Sequence, residues 1–170
     1  MLNITKAAEH SAGEQRIAQV EPLYLKTVTL VERLHRRLLD VIKDEFDRHN
    51  RSELNPIQAF LLYNIGEQEV TAGELRTRGY YLGSNVSYNL KKLVELGYLD
   101  HQPSRADRRS VHIKLTSKGR EVRNIIATLY RKHVSSVEQV GDIHCDDFVT
   151  LNKSLHLLER FWTDQILYRL

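Results

Sequence analysis

Apolar residues recur at steps of three and four along most of this chain, and near its middle the rhythm changes to alternation. Val28, Val31, Leu34, Leu38, Val41 and Ile42 share one face of a helix that persists to about Phe46. Pro22 suits the first turn of that helix, where its missing N–H has no partner to lose. Residues 1–21 ahead of it are polar and small, as in a frayed or weakly helical arm. The stretch RHNRSELNP interrupts the pattern, with Asn55 placed to cap and Pro56 to open a second helix. That helix, PIQAFLLYNI, is apolar on nearly every side, as a buried one is, and Gly66 stops it. Thr71 and Glu74 have capping-box spacing at the head of a third helix, AGELRTRG, which ends at Gly79. A fourth covers 84–96, with Val86, Leu90, Leu93 and Val94 inward and Gly97 as its stop. YLDHQ and SVHIKL alternate, as short strands do, on either side of PSRADRR. Thr116 or Ser117 then caps a long helix striped by Val122, Ile125, Ile126, Leu129, His133, Val137 and Val140. GDIHCDD breaks the chain again before a last helix carrying Phe148, Leu151, Leu155, Leu158, Trp162 and Ile166.

The order of elements predicts a mainly α (α+β) chain with two modules. A compact mixed lobe covers 55–115, a helical region is made of 22–54 and 116–170, and an arm covers 1–21. A helix from Pro22 to Phe46 is about 37 Å long at about 1.5 Å per residue. A compact chain of this length has a radius of gyration of only about 15 Å. Apolar stripes on such helices are hard to cover within one protomer, so a two-fold partner is expected at Leu23, Val28, Val137, Leu155, Leu158, Trp162 and Ile166. A monomeric helical bundle is the alternative.

Composition narrows the class. With 170 residues, 41% hydrophobic and 28% charged, the chain can bury a core without a covalent staple. Its single cysteine, Cys145, rules out an intrachain disulfide and suits a reducing compartment. The amino terminus has no apolar signal-like core, and no run of eighteen apolar residues occurs, so the expectation is a cytoplasmic chain off the membrane. The net charge of +3 is unevenly spread. Residues 71–120 hold ten Lys or Arg against four Asp or Glu, a local +6 that leaves −3 for the remainder. Such asymmetry is the footprint of a polyanion partner, or simply a solvated basic surface.

The third and fourth helices, joined by YYLGSN, have the lengths and turn residues of a helix-turn-helix. In that motif the second helix enters the major groove. Ser84, Asn85, Ser87, Tyr88 and Asn89 supply base-reading donors and acceptors, and Lys91 and Lys92 sit where phosphates lie. Gly83 or Ser84 at the helix start adds free N–H groups and a positive dipole end. Ser and Asn also serve as ordinary caps and solvent-facing residues, so the helix pair alone is a weak signal. The hairpin that follows strengthens it. Arg105, Arg108 and Arg109 crowd the tip at 103–109, where guanidinium groups suit a narrow minor groove. Asp107 makes sense as a brace, pairing with Arg109 so that Arg105 and Arg108 point outward. Together these parts read as a winged helix.

From Thr71 to Val122 the chain resembles the MarR family of bacterial transcription regulators. The resemblance rests on Gly97 after the recognition helix, Asp107-Arg108-Arg109 in the wing, and Leu115-Thr116-Ser117-Lys118-Gly119 beyond it. The flanking order, one long helix before and two after, matches over nearly everything past residue 22. Within the family the chain is similar to the alphaproteobacterial branch that controls cell-wall L,D-transpeptidase genes. The resemblance implies a homodimer joined through its terminal helices, a near-palindromic double-stranded DNA operator, and a small-molecule or redox input that alters the spacing of the wings. Two features depart from the family pattern. Tyr80, Tyr81 and Tyr88 make the reading region unusually aromatic, which points to a different base preference, and the arm before Pro22 is long enough to add to the dimer interface.

The resemblance places an effector between the winged lobe and the dimerising helices. Leu38, Phe60, Tyr63 and His112 are the candidates there for holding a small aromatic ring, although for any one of them taken singly ordinary core packing is the favoured reading. Asp142 to Asp147 (DIHCDD) gathers metal-ligand types but lacks a helix-face pair at four-residue spacing, so no metal and no cofactor is expected. Cys145 as a redox sensor is disfavoured by its three aspartate neighbours. No Gly-rich phosphate loop, nucleophile elbow or H-E-x-x-H motif is present, so no enzyme is expected. The rival readings are a metal- or redox-sensing regulator and a winged helix used only for protein interaction.

Overall fold

In the computed structural model, which describes residues 2–71, 74–75, 84–103 and 111–168, a small antiparallel sheet is set among five helices (the side chains of 2–12, 84–86, 102–103 and 111 are not described). In chain order the elements are α1 (Leu2–Arg48), α2 (Pro56–Ile65), β1 (Val70–Thr71), α3 (Ser84–Glu95), β2 (Leu99–Pro103), β3 (Val111–Leu115), α4 (Ser117–Gly141) and α5 (Cys145–Tyr168). The third helix expected before Gly79 is seen only at Glu74 and Leu75; its remainder lies outside the described residues.

Pro22 does not open α1. The helix begins at Leu2 and passes through the proline, so the stretch expected as a frayed arm is the first part of one 47-residue helix. At ~1.5 Å per residue it is about 70 Å long. The pyrrolidine ring removes one main-chain bond, to the Ala18 carbonyl, and crowds that carbonyl. Flanking runs rich in good helix formers, EQRIAQ and LYLK, offset a penalty confined to one turn. The far end of α1 closes on Asn50 in the left-handed region, φ 53°. Arg51 N–H donates to Phe46 O at 3.0 Å and Asn50 N–H to Asp47 O at 3.2 Å, which satisfies carbonyls the helix leaves open.

α2 starts as its sequence directs. The Asn55 side chain accepts from Gln58 N–H at 2.8 Å, and the Gln58 side chain accepts from Asn55 N–H at 3.2 Å. Gly66 follows with φ 73°. The capping box at Thr71 is also present. Glu74 N–H donates to Thr71 Oγ1 at 3.1 Å, while the Glu74 carboxylate accepts from Thr71 N–H at 2.6 Å.

The sheet has the order β1-β3-β2, antiparallel throughout. Leu99 faces Leu115 and Pro103 faces Val111, so the hairpin runs straight towards residues 104–110. β1 was not anticipated, because a strand of two residues shows no alternation. Val70 pairs with Ile113 and Thr71 with His112.

One core joins the lobe to the long helices. Ile42 and Phe46 of α1, Leu61, Leu62 and Ile65 of α2, and Leu93 of α3 are buried with Tyr98, Ile113, Leu115, Val122 and Ile126. α5 contributes no buried residue. Trp162 and Leu158 are half-buried, whereas Phe148, Leu151, Leu155 and Ile166 are exposed. On α1, Leu23 is 66% and Val28 37% exposed, and on α4 Val137 is half-buried and Val140 is 85% exposed. Val31 and the α5 side chains Leu155, Leu158, Trp162 and Ile166 line an open groove of about 490 Å³. The Trp162 indole N–H donates to the Tyr24 hydroxyl at 3.1 Å and ties α5 to α1. Among the described residues no helix is long and apolar enough to cross a membrane.

Candidate nucleic-acid interface

At about 100° per residue, α3 divides into two faces. Leu90 and Leu93 turn inward, 8% and 0% exposed, with Val94 partly buried beside them. Ser87, Tyr88, Lys91 and Lys92 turn outward, and Tyr88 is 66% exposed despite its aromatic ring. An exposed tyrosine followed by two lysines is a surface suited to bases and phosphates. Lys92 lies 3.6 Å from Glu95, an exposed i,i+3 pair that water screens.

Asn89 is corrected by this geometry. Expected to read bases, it is 7% exposed and lies on the inward face with Leu90 and Leu93. It stands one step round from Tyr88, and one step of helix carries a side chain from the exposed face to the core. Ser84 and Asn85 occupy the first turn of α3, but their side chains lie outside the described residues. So do Arg105, Asp107, Arg108 and Arg109, within the 104–110 segment that joins β2 to β3.

The C-terminal end of α3 is fixed by main-chain geometry. Gly97 adopts φ 75°. Its N–H donates to Val94 O at 2.9 Å, and Tyr98 N–H donates to Leu93 O at 2.9 Å. The start of α4 then holds that turn from the other side. Thr116 is the N-cap, its Oγ1 accepting from Gly119 N–H at 3.1 Å. The same hydroxyl lies 2.8 Å from Gly97 O and 3.1 Å from Tyr98 O. Gly119 packs so close that an added Cβ would lie 2.2 Å from Tyr98 O, which explains the glycine of the L-T-x-x-G run physically.

Tyr98 was not singled out from the sequence, where it reads as an ordinary strand residue. Its ring is fully buried, its hydroxyl donates to Glu53, and the Lys118 ammonium sits 4.1 Å from its ring centroid. Burial, with Glu53 second, pushes the Tyr98 hydroxyl up to about 12. The hydrogen bond from Tyr98 holds the Glu53 carboxyl below the ordinary range.

Of the four effector candidates, three pack on the core and one lies on the sheet. Leu38, Phe60 and Tyr63 pack partly buried against the core. Tyr63 meets Tyr130 edge to face with centroids 5.1 Å apart, and burial pushes the Tyr130 hydroxyl up to about 12. His112, paired across the sheet with Thr71, has Nδ1 3.0 Å from Glu69 Oε1. In the α4–α5 turn, His144 Nδ1 lies 3.2 Å from Glu138, and the Asp147 carboxylate accepts from His144 N–H at 2.9 Å as a cap of α5. Cys145 is exposed beside them. Among the described residues no group of three or more His, Cys, Asp or Glu could hold a metal ion.

Residues 54–119 match the family model of a winged helix DNA-binding domain. Over 145 residues the chain is 33% identical to ExpG of Rhizobium meliloti, an exopolysaccharide II synthesis transcriptional activator; the match spans 85% of this chain and 74% of that protein. In structure it is similar to Streptococcus pneumoniae FabT in complex with DNA (TM-score 0.66, 20% identity, 83% of this chain and 98% of that one). It is also similar to a cysteine-to-serine mutant of E. coli MarR complexed with operator DNA (TM-score 0.64, 18% identity, 79% and 94%). Fold and matches define a DNA-binding winged-helix transcription regulator. The chain belongs to the MarR family.

Proposed function

We propose that two copies of this chain, clasped through α1 and α5, bind a near-palindromic operator. Each lays α3 in a major groove, with the hairpin tip at 103–109 along the adjacent minor groove. The observation that carries the reading is the outward face of α3, where Ser87, Tyr88, Lys91 and Lys92 stand exposed on a helix whose end is fixed by main-chain bonds. The bare apolar side of α5 supports the dimer. Two recognition helices then sit about 34 Å apart, the pitch of B-form DNA. A small aromatic effector held near Leu38, Phe60, Tyr63 and His112 acts by favouring one spacing of the lobes over another. The likeness to ExpG makes surface-polysaccharide promoters the first targets to examine, beside the DNA upstream of the chain's own gene, and the place of action is the cytoplasm.

The test is a gel shift on that upstream DNA across a salt series. Replacing Lys91 and Lys92 together by Ala, or Arg108 by Ala, should weaken binding and reduce the log–log salt slope by about 0.9 for each phosphate no longer neutralised. Unchanged binding and slope in both variants would transfer the reading to a protein-interaction module.

A further inference from the structure

Tyr98 is where three parts of the chain meet. Its N–H closes the end of α3 on Leu93 O, and its carbonyl accepts from Thr116 N–H at 3.1 Å at the head of α4. Its hydroxyl reaches Glu53, in the turn that follows α1. The Lys118 ammonium lies over its ring and donates to Leu96 O at 3.0 Å. Arg51, two residues before Glu53, donates to Glu121 of α4 at 2.8 Å. Packing alone asks for no hydroxyl, since a buried phenylalanine would fill the same space. A phenol in that place needs a partner, and an ionised carboxylate is the strong kind.

We infer that the Tyr98–Glu53 hydrogen bond sets the angle of α3 against α1, which makes Tyr98 a positioning residue for sequence-specific DNA binding. The inference rests on the reading of α3 as the recognition helix. Leverage explains why one bond matters. α3 has 12 residues and is about 18 Å long, so a tilt of about 10° at its Tyr98 end moves its first turn by about 3 Å. That displacement breaks hydrogen bonds to base edges, whose useful range is a few tenths of an ångström. Attraction between lysines and phosphates falls slowly with distance and survives it. Base reading and charge-driven binding therefore respond differently to the same change. A network serving stability alone would alter both through the folded fraction.

The experiment uses the full chain and two duplexes of equal length, one from upstream of its own gene and one unrelated. Tyr98→Phe keeps the ring and removes only the hydroxyl. It should bind the upstream duplex about tenfold more weakly and the unrelated duplex within about twofold of wild type, with the salt slope unchanged. Glu53→Gln retains an acceptor and should keep most of the discrimination. Glu53→Leu should reproduce Tyr98→Phe, and the double variant should be no worse than either alone. Thermal unfolding of each variant reports the folded fraction. Wild-type discrimination by Tyr98→Phe, equal loss on both duplexes, or additive losses in the double variant would overturn the inference. Were wild type to bind neither duplex, the recognition-helix reading would fall and this inference with it.

Discussion

Replace Gly119 by alanine, and two opposed effects act on one helical residue. Alanine gains roughly 1 kcal/mol over glycine in a helix interior, because less backbone entropy is lost on folding. At Gly119, however, the new methyl would lie 2.2 Å from the Tyr98 carbonyl oxygen and 3.2 Å from a Leu115 methyl. The oxygen belongs to the backbone that receives Thr116 N–H, so it cannot step aside as a flexible side chain would. Overpacking of a tight site costs about 1–3 kcal/mol. Displacing the two hydrogen bonds from Thr116 costs about 1 kcal/mol each. The net is a loss of about 2 kcal/mol or more. Gly13 supplies the control, since it also lies in a helix and its added Cβ meets nothing within 4 Å. Gly13→Ala should therefore be neutral or stabilising by up to about 1 kcal/mol. Urea unfolding at one fixed protein concentration reads both. With m near ~2 kcal/mol/M, Gly119→Ala should lower the midpoint by about 1 M while Gly13→Ala leaves it or raises it. A Gly119→Ala midpoint at or above wild type would refute the close-approach explanation of this glycine.

Neighbouring residues on α3 should separate cleanly. Tyr88→Ala should leave stability within about 0.5 kcal/mol and weaken DNA binding, while Asn89→Ala should cost about 1–2 kcal/mol of stability, both read by urea unfolding and gel shift. Trp162→Ala should remove an anchor worth about 2 kcal/mol, weakening self-association about thirtyfold, and light scattering over a dilution series gives the mass. Glu53 has a folded-state pKa below its unfolded value. Its contribution is present above the unfolded carboxylate range and is lost as pH falls through the folded value. Glu53→Gln should accordingly flatten the acid limb of the stability–pH curve, measured as urea midpoints from neutral to acid pH.

Much of the fold was legible because its signals are local. Asn55–Pro56, Thr71–Glu74 and Gly97 act within one turn, and each sits where the spacing places it. The inward stripe of α3 can be read from Leu90 and Leu93 alone, yet Asn89 falls on the opposite face from the one its chemistry suggests. A polar side chain suggests solvent, whereas a 3.6-residue period puts position 89 with the core. Pro22 misleads for the opposite reason. Its local preference for a first turn is real, but propensity yields where long flanks of helix formers continue. The Tyr98–Glu53 hydrogen bond is invisible in the sequence because its partners are 45 residues apart and neither belongs to a motif. β1 is invisible because two residues hold no period.

The central claim is that α3, presented twice by a two-fold pair, reads consecutive major grooves. Hydroxyl-radical footprinting of the upstream DNA, with and without the chain, tests it most directly. The account predicts two equivalent protected patches centred about one helical turn, roughly 34 Å, apart, each altered by Tyr88→Ala. A single patch, or protection indifferent to that substitution, would contradict it.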